Sequence, residues 1–136
     1  MKNRSLYLFL ALAISCFAAC SRPNDPTPAP GPTEEKLAIK LSASGVEVSP
    51  SNSFPLTVTV TSKMPTGGVI IKVDAKREDN NASVLSITSP ATSVAGTNFT
   101  ISPLPANQVY VTVTVLVTSV TTASNTATAS FRVVWK

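Results

Sequence analysis

Apolar and polar residues alternate with a period of two through most of the chain after residue 35. The pattern is clearest over residues 109–117, where valine occupies every second position. A period of two is that of a strand with one buried face and one wet face. Further strands are predicted over residues 36–41, 56–61, 69–76, 84–88, 99–101 and 126–135, with Val46 and Val48 extending the edge of the first strand beyond Gly45.

Turn signals separate these strands about every ten residues, and no helical period interrupts them. Gly67 and Gly68 form one turn, and the polar run of residues 77–81 forms a loop. About seven such strands in about a hundred residues predict an all-β fold, an antiparallel β-sandwich over residues 36–136. Each strand has one apolar face, as two packed sheets require, and Trp135 is predicted to lie in the inward row of the last strand.

The first nineteen residues have a different pattern. Lys2 and Arg4 precede an apolar run that extends to Phe17, and two alanines follow it. This order of a basic start, an apolar stretch and small residues predicts a secretory signal over residues 1–19. The apolar run is well short of the ~20 residues that a membrane-spanning helix needs.

The sequence Phe-Ala-Ala-Cys at residues 17–20 resembles the lipobox of bacterial lipoproteins, with phenylalanine where leucine is usual. The resemblance implies that Cys20 is lipidated on its sulfur, becomes the mature N-terminus and is acylated on its amine, a palmitate-type modification. Acylated Cys20 would then hold the chain to a lipid membrane. Ser21 implies the outer membrane, and either its periplasmic or its surface side. Cys16 is an alternative site of processing, and an ordinary cleaved signal is a third interpretation.

Residues 20–35 are predicted to form the lipidated cysteine and a linker, because five of the eleven prolines of the chain lie between residues 23 and 32. Each proline fixes its own φ angle and favours extended backbone at the residue before it. At ~3.1 Å per residue, such a linker reaches on the order of 40 Å. This stretch is suited to holding a domain away from a membrane.

Residues 99–113 resemble the corner between the fifth and sixth strands of fibronectin type III domains, with Leu104 six residues before Tyr110. The resemblance implies an immunoglobulin-like or fibronectin-like sandwich. It also implies that the Tyr110 hydroxyl bonds to the backbone upstream, although Tyr110 here alternates with the valines instead of sharing their face. The whole chain further resembles small lipoproteins of Bacteroidetes-type bacteria, which have a signal, a proline-rich spacer and a Thr/Ser/Val-rich sandwich.

The composition argues against catalysis. The chain has no histidine, which is the commonest general base and metal ligand, and both cysteines lie in the first twenty residues. The acidic run Glu78-Asp79 lacks the ligand spacing of a calcium loop, and adjacent carboxylates on a loop are poorly placed for glycoside hydrolysis. We therefore expect no enzyme, no metal and no cofactor. Outside Lys2 and Arg4 the net charge is only +2, which does not favour nucleic acid.

The sequence thus predicts a membrane-anchored, non-enzymatic lipoprotein that serves as a structural, adhesive or protein-interaction module at the cell envelope. The alternative is an accessory glycan-binding lipoprotein of a nutrient-uptake system, which would need exposed aromatic side chains. In a fibronectin-like sandwich, the loops at residues 62–68 and 118–125 share one end. Met64 and Val120 are apolar residues in these polar loops and are the candidate contacts for an envelope protein or a glycan partner.

Overall fold

The computed structural model describes residues 33–136, so the predicted signal segment, Cys20 and most of the proline-rich linker lie outside the described residues. The described part is built from strands alone, eight in number. In chain order they are β1 (Ile39–Leu41), β2 (Val46–Ser49), β3 (Phe54–Val60), β4 (Val69–Arg77), β5 (Ser83–Thr88), β6 (Gly96–Ile101), β7 (Tyr110–Ser119) and β8 (Thr126–Trp135).

The strands form two sheets, one in the order β1-β3-β6 and one in the order β2-β8-β7-β4-β5. All neighbours are antiparallel except β2 and β8, which run parallel. Apolar residues from both sheets pack into one core, which is the arrangement of a β-sandwich. The predicted all-β sandwich is therefore confirmed, whereas the expectation of a wholly antiparallel arrangement is wrong at this one pair.

Strand β7 shows how the alternating pattern produces the fold. Its four inward valines, Val111, Val113, Val115 and Val117, have no exposed surface. The threonines between them lie on the outer face and are partly exposed. Burying a valine side chain contributes roughly 1.5–3 kcal/mol, and its branched Cβ suits the extended backbone. The period of two thus decides both the strand and which of its faces joins the core.

Strand β2 departs from its predicted place. Val46 and Val48 do not extend the edge of β1 but cross to the other sheet and pair with β8. Gly45, whose φ of +62° is unfavourable for residues with a side chain, lies at the crossing. The crossover adds an eighth strand to the predicted seven and leaves the side chains of Val46 and Val48 about half exposed on the outer face.

The chain enters the sandwich at the end formed by the β3–β4 and β7–β8 loops, which we call the linker end. The carbonyl of Ala38 accepts hydrogen bonds from the Thr61 and Ser62 amides at the end of β3. The two loops touch, since the Val120 amide donates to the carbonyl of Gly68 at 3.1 Å. The opposite end, which we call the distal end, carries the β4–β5 turn and the C-terminus.

Gly68 is required where the β3–β4 loop meets its neighbours. Its φ is +78°, and its amide donates to the carbonyl of Pro65 at 2.9 Å. A Cβ at this position would lie 2.6 Å from the carbonyl oxygen of Thr92. The predicted turn at Gly67 and Gly68 is thus confirmed.

No helix within residues 33–136 has the length and hydropathy needed to cross a membrane.

Candidate functional site

A polar groove of about 440 Å³ lies on the outer face of the five-stranded sheet, in its distal half. We call it the distal groove. The β4–β7 register places Asp74 opposite Thr114 and Lys76 opposite Thr112, and the β4–β5 turn closes one side. The residues that line the groove are Asp74, Lys76, Arg77, Glu78, Asn81, Thr112 and Thr114.

Glu78 is held at the rim of the distal groove by three hydrogen bonds. Arg132 donates from Nε to Oε1 at 2.6 Å and from Nη2 to Oε2 at 2.5 Å, and the Thr112 hydroxyl donates to Oε1 at 2.7 Å. Arg132, followed by Thr112, holds the pKa of Glu78 below its ordinary range. The guanidinium also lies over the ring of Tyr110, 4.4 Å from its centroid, which is a cation–π contact. Glu78 is therefore a fixed and ionised group.

The other two acids of this region are also occupied. The Ser86 hydroxyl donates to Asp74 at 2.5 Å, and the ammonium of Lys72 lies 2.9 Å from the second carboxylate oxygen. These contacts, the Ser86 hydrogen bond foremost, lower the pKa of Asp74. Arg77 grips Asp79 through two hydrogen bonds of 2.9 and 2.6 Å. Each carboxylate is thus matched by a cation.

Three polar side chains of the groove have no such partner within residues 33–136. The ammonium of Lys76 forms no ion pair there, and the Thr114 hydroxyl and the Asn81 amide form no side-chain hydrogen bond. Asn81 adopts a φ of +59° at the end of the β4–β5 turn. The groove therefore presents an ammonium group that has no ion-pair partner within residues 33–136, beside a hydroxyl and a side-chain amide.

The two carboxylates that line the distal groove, Asp74 and Glu78, are both held in their ionised forms. Each of these carboxylates accepts hydrogen bonds that favour its ionised form, so neither is poised to exchange a proton near neutral pH. Within residues 33–136, no group of three or more acidic, histidine or cysteine side chains is placed to hold a metal ion. The calcium alternative at Glu78-Asp79 therefore gains no support, because both carboxylates face arginines.

A second polar cluster fixes the start of the domain at the linker end. The Asn125 side chain accepts a hydrogen bond from the Leu37 amide at 2.9 Å and donates to the carbonyl of Glu35 at 2.9 Å and to the carboxylate of Glu34 at 3.1 Å. Ser119 also donates to Glu34. Asn125, the largest cause, lowers the pKa of Glu34. We call this cluster the Asn125 clamp.

The residues singled out from the sequence fall in several places. Cys20 and Cys16 lie outside the described residues. The two predicted contact loops do share one end, but Met64 is half-buried and packs against the core, so it offers little surface to a partner. Val120 is 46% exposed and directly follows β7, at the start of the β7–β8 loop. Both lie at the linker end, away from the distal groove.

The aromatic residues of the domain do not form an exposed platform. Phe131 is buried and its ring centroid lies 5.6 Å from that of Phe54, which is half-buried. Phe99 and Trp135 also pack against the core, as predicted for Trp135. The hydrogen bond predicted for a corner tyrosine is not formed within residues 33–136: the Tyr110 hydroxyl bonds to no backbone group there, and its ring lies under the Arg132 guanidinium.

Little in the sequence predicted the distal groove. Its floor comes from two strands that are about forty residues apart in the chain, and only the β4–β7 register brings them together. The one sequence feature that pointed to the groove was in β4, where the charged Asp74 and Lys76 alternate with buried apolar residues before the polar turn. A comparison with models of protein families finds no match for this chain, and a comparison with curated proteins finds none either.

Proposed function

We propose that the chain is a membrane-anchored, non-enzymatic lipoprotein whose sandwich serves as a structural, adhesive or protein-interaction module at the outer membrane of a bacterial cell. The proposal combines the lipobox-like residues before Cys20 with the proline-rich linker behind it. Several acyl chains on one residue give stable anchoring, because a single chain binds only marginally. In this proposal, the described domain is the part of the chain that the lipid anchor holds at the membrane.

We further propose that the domain is of the immunoglobulin-like or fibronectin-like type. In support, β8-β7-β4-β5 follow the order G-F-C-C′ of such sandwiches, and β1-β3-β6 follow A-B-E. The β2 segment corresponds to a first strand that switches sheets. Leu104, which is 3% exposed, occupies the place of the corner leucine. The different orientation of Tyr110 separates this domain from the usual fibronectin corner.

The Asn125 clamp is the structural observation that bears on how the domain joins its linker. It fixes Glu34 and Leu37 against the linker end by hydrogen bonds from the β7–β8 loop. The first described residues of the domain are therefore held at the linker end, where the chain that would carry the anchor joins the sandwich.

The test compares two cysteine variants in the native host. We expect the wild-type protein and Cys16→Ala to fractionate with membranes and to incorporate a palmitate analogue. Cys20→Ala is expected to do neither, because it lacks the lipidated sulfur. Cys16→Ala is the matched control, since it removes the other cysteine of the same apolar segment. Lipid labelling that persists in Cys20→Ala, or is lost in Cys16→Ala, would contradict the proposal.

An accessory glycan-binding role is the second candidate. The aromatic residues do not favour it, because within residues 33–136 each of them packs against the core or lies under Arg132. The distal groove favours it, because its size is within the range of ~300–1,000 Å³ that is usual for small-ligand sites. Its unpartnered groups narrow the chemistry of a ligand.

A further inference from the structure

The charges around the distal groove do not cancel completely. Asp74 is matched by Lys72, Glu78 by Arg132, and Arg77 by Asp79. Within the described part of the chain, Lys76 is the lining residue whose charge has no opposite partner within ion-pair distance. A ligand that enters the groove therefore meets an ammonium group without an ion-pair partner in the described residues, and a carboxylate is one anionic group that complements it.

The neighbours of Lys76 suggest what surrounds that carboxylate in the ligand. The Thr114 hydroxyl and the Asn81 amide supply both donors and acceptors, which suits a ligand with hydroxyl groups. Among the described residues, none that lines the groove is aromatic, so these residues do not offer the ring stacking that holds the apolar face of a neutral sugar. Hydrogen bonds and charge must then supply the binding affinity. A neutral saccharide would gain only the hydrogen bonds.

We propose that the distal groove binds an acidic saccharide, with Lys76 facing the sugar carboxylate and with Thr114 and Asn81 facing its hydroxyl groups. This deepens the glycan-binding candidate above and does not depend on the lipid anchor. The ion pairs of Glu78 and Asp74 fix the groove walls before the ligand arrives, which lowers the ordering cost of binding. The groove lies in the distal half of the sandwich, away from the end at which the linker enters.

The full mature protein in detergent micelles is titrated with the trisaccharide of galacturonic acid. Binding is measured from the changes in its amide chemical shifts by NMR. The shifts are expected at Lys76, Thr112 and Thr114. Binding should weaken as salt is added, because the groove is open to solvent and its charge is screened. The galactose trisaccharide, which lacks the carboxylates, should bind far more weakly.

Two variants test the assigned residues. Lys76→Gln should weaken binding about tenfold, the loss typical of a hydrogen bond to a charged group, and Thr114→Val about threefold, as for a neutral one. Lys63→Gln is the matched control, because Lys63 is an exposed lysine at the linker end. All three positions lie on the surface or the outer face, so the variants should keep the wild-type melting temperature.

Several results would overturn the assignment. Equal binding of the galactose trisaccharide would remove the role of the carboxylate. Equal binding of a triglutamate peptide would show that the groove recognises acidic peptides and not sugars. Shifts outside the groove, or an equal loss in Lys63→Gln and Lys76→Gln, would refute the site itself. None of these outcomes depends on lipidation at Cys20, which the cysteine variants test separately.

Discussion

Removing the Asn125 side chain is the sharpest test of how the domain is held at the linker end. Asn125→Ala removes three hydrogen bonds, to the Leu37 amide, the Glu34 carboxylate and the Glu35 carbonyl. Each such bond contributes about 0.5–1.5 kcal/mol. The side chain is only half-buried, so water replaces part of the loss. We expect a destabilisation of about 2 kcal/mol, near the lower end of the sum.

Urea unfolding measures this loss directly. A change of about 2 kcal/mol should lower the unfolding midpoint without changing the dependence of the free energy on urea concentration. It corresponds to a fall in melting temperature of roughly 10 °C for a domain of about a hundred residues. Amide exchange at Leu37 should also accelerate, because its amide loses the Asn125 acceptor. The other core amides should be affected only through global stability.

Asn98→Ala is the matched control for Asn125→Ala. Asn98 is exposed on β6 and accepts a single hydrogen bond, from the Thr57 hydroxyl at 2.8 Å. Its removal should cost about 0.5 kcal/mol or less, as for an exposed neutral hydrogen bond. If Asn125→Ala cost no more than Asn98→Ala, or left Leu37 exchange unchanged, the clamp would not hold the start of the domain.

Three further predictions concern the core, the groove and the loops. Leu56→Ala should lower the free energy of unfolding in urea by about 2–5 kcal/mol, because Leu56 is 1% exposed in the core. A smaller loss of stability than that of a substitution at an exposed position would contradict this prediction. Because the pKa of Glu78 is lowered in the folded protein, its ionisation should stabilise the fold fully above about pH 4.3, and this stability should be lost as the pH falls through the folded-state pKa. Glu78→Gln should therefore flatten this part of the acid-unfolding curve. An unchanged slope would refute the pairing of Glu78 with Arg132. Met64→Ser should lower the melting temperature whereas Val120→Ser should not, since Met64 packs against the core and Val120 is exposed; equal effects would contradict this placement.

The strands were predictable because the period of two is a local signal. The predicted limits of the last strand, residues 126–135, are those of β8, and the inward valines of β7 are the fully buried ones. Where the prediction failed, longer-range contacts decided the structure. Val134 has outward parity yet is 1% exposed, and the residues paired with it on either side are Val48 of β2 and Tyr110 of β7.

The candidate site was much less predictable than the fold. The distal groove requires the register of β4 against β7, which no run of neighbouring residues encodes. The side chain of Tyr110 points outward because it alternates with the inward Val111, and the Arg132 guanidinium then lies over its ring. Met64 looked like a loop tip because its neighbours are polar, but the β3–β4 loop folds back far enough for this side chain to reach the core.

Mass spectrometry of the mature N-terminus tests the central proposal most directly. The proposal of a lipid-anchored sandwich predicts a chain that begins at Cys20, with a diacylglycerol group on the sulfur and an acyl chain on the amine. The measurement distinguishes Cys20 from Cys16 by the mass of the first peptide alone. An unmodified N-terminus beyond Cys20 would contradict the proposal, and the linker and the Asn125 clamp would then belong to a freely secreted domain.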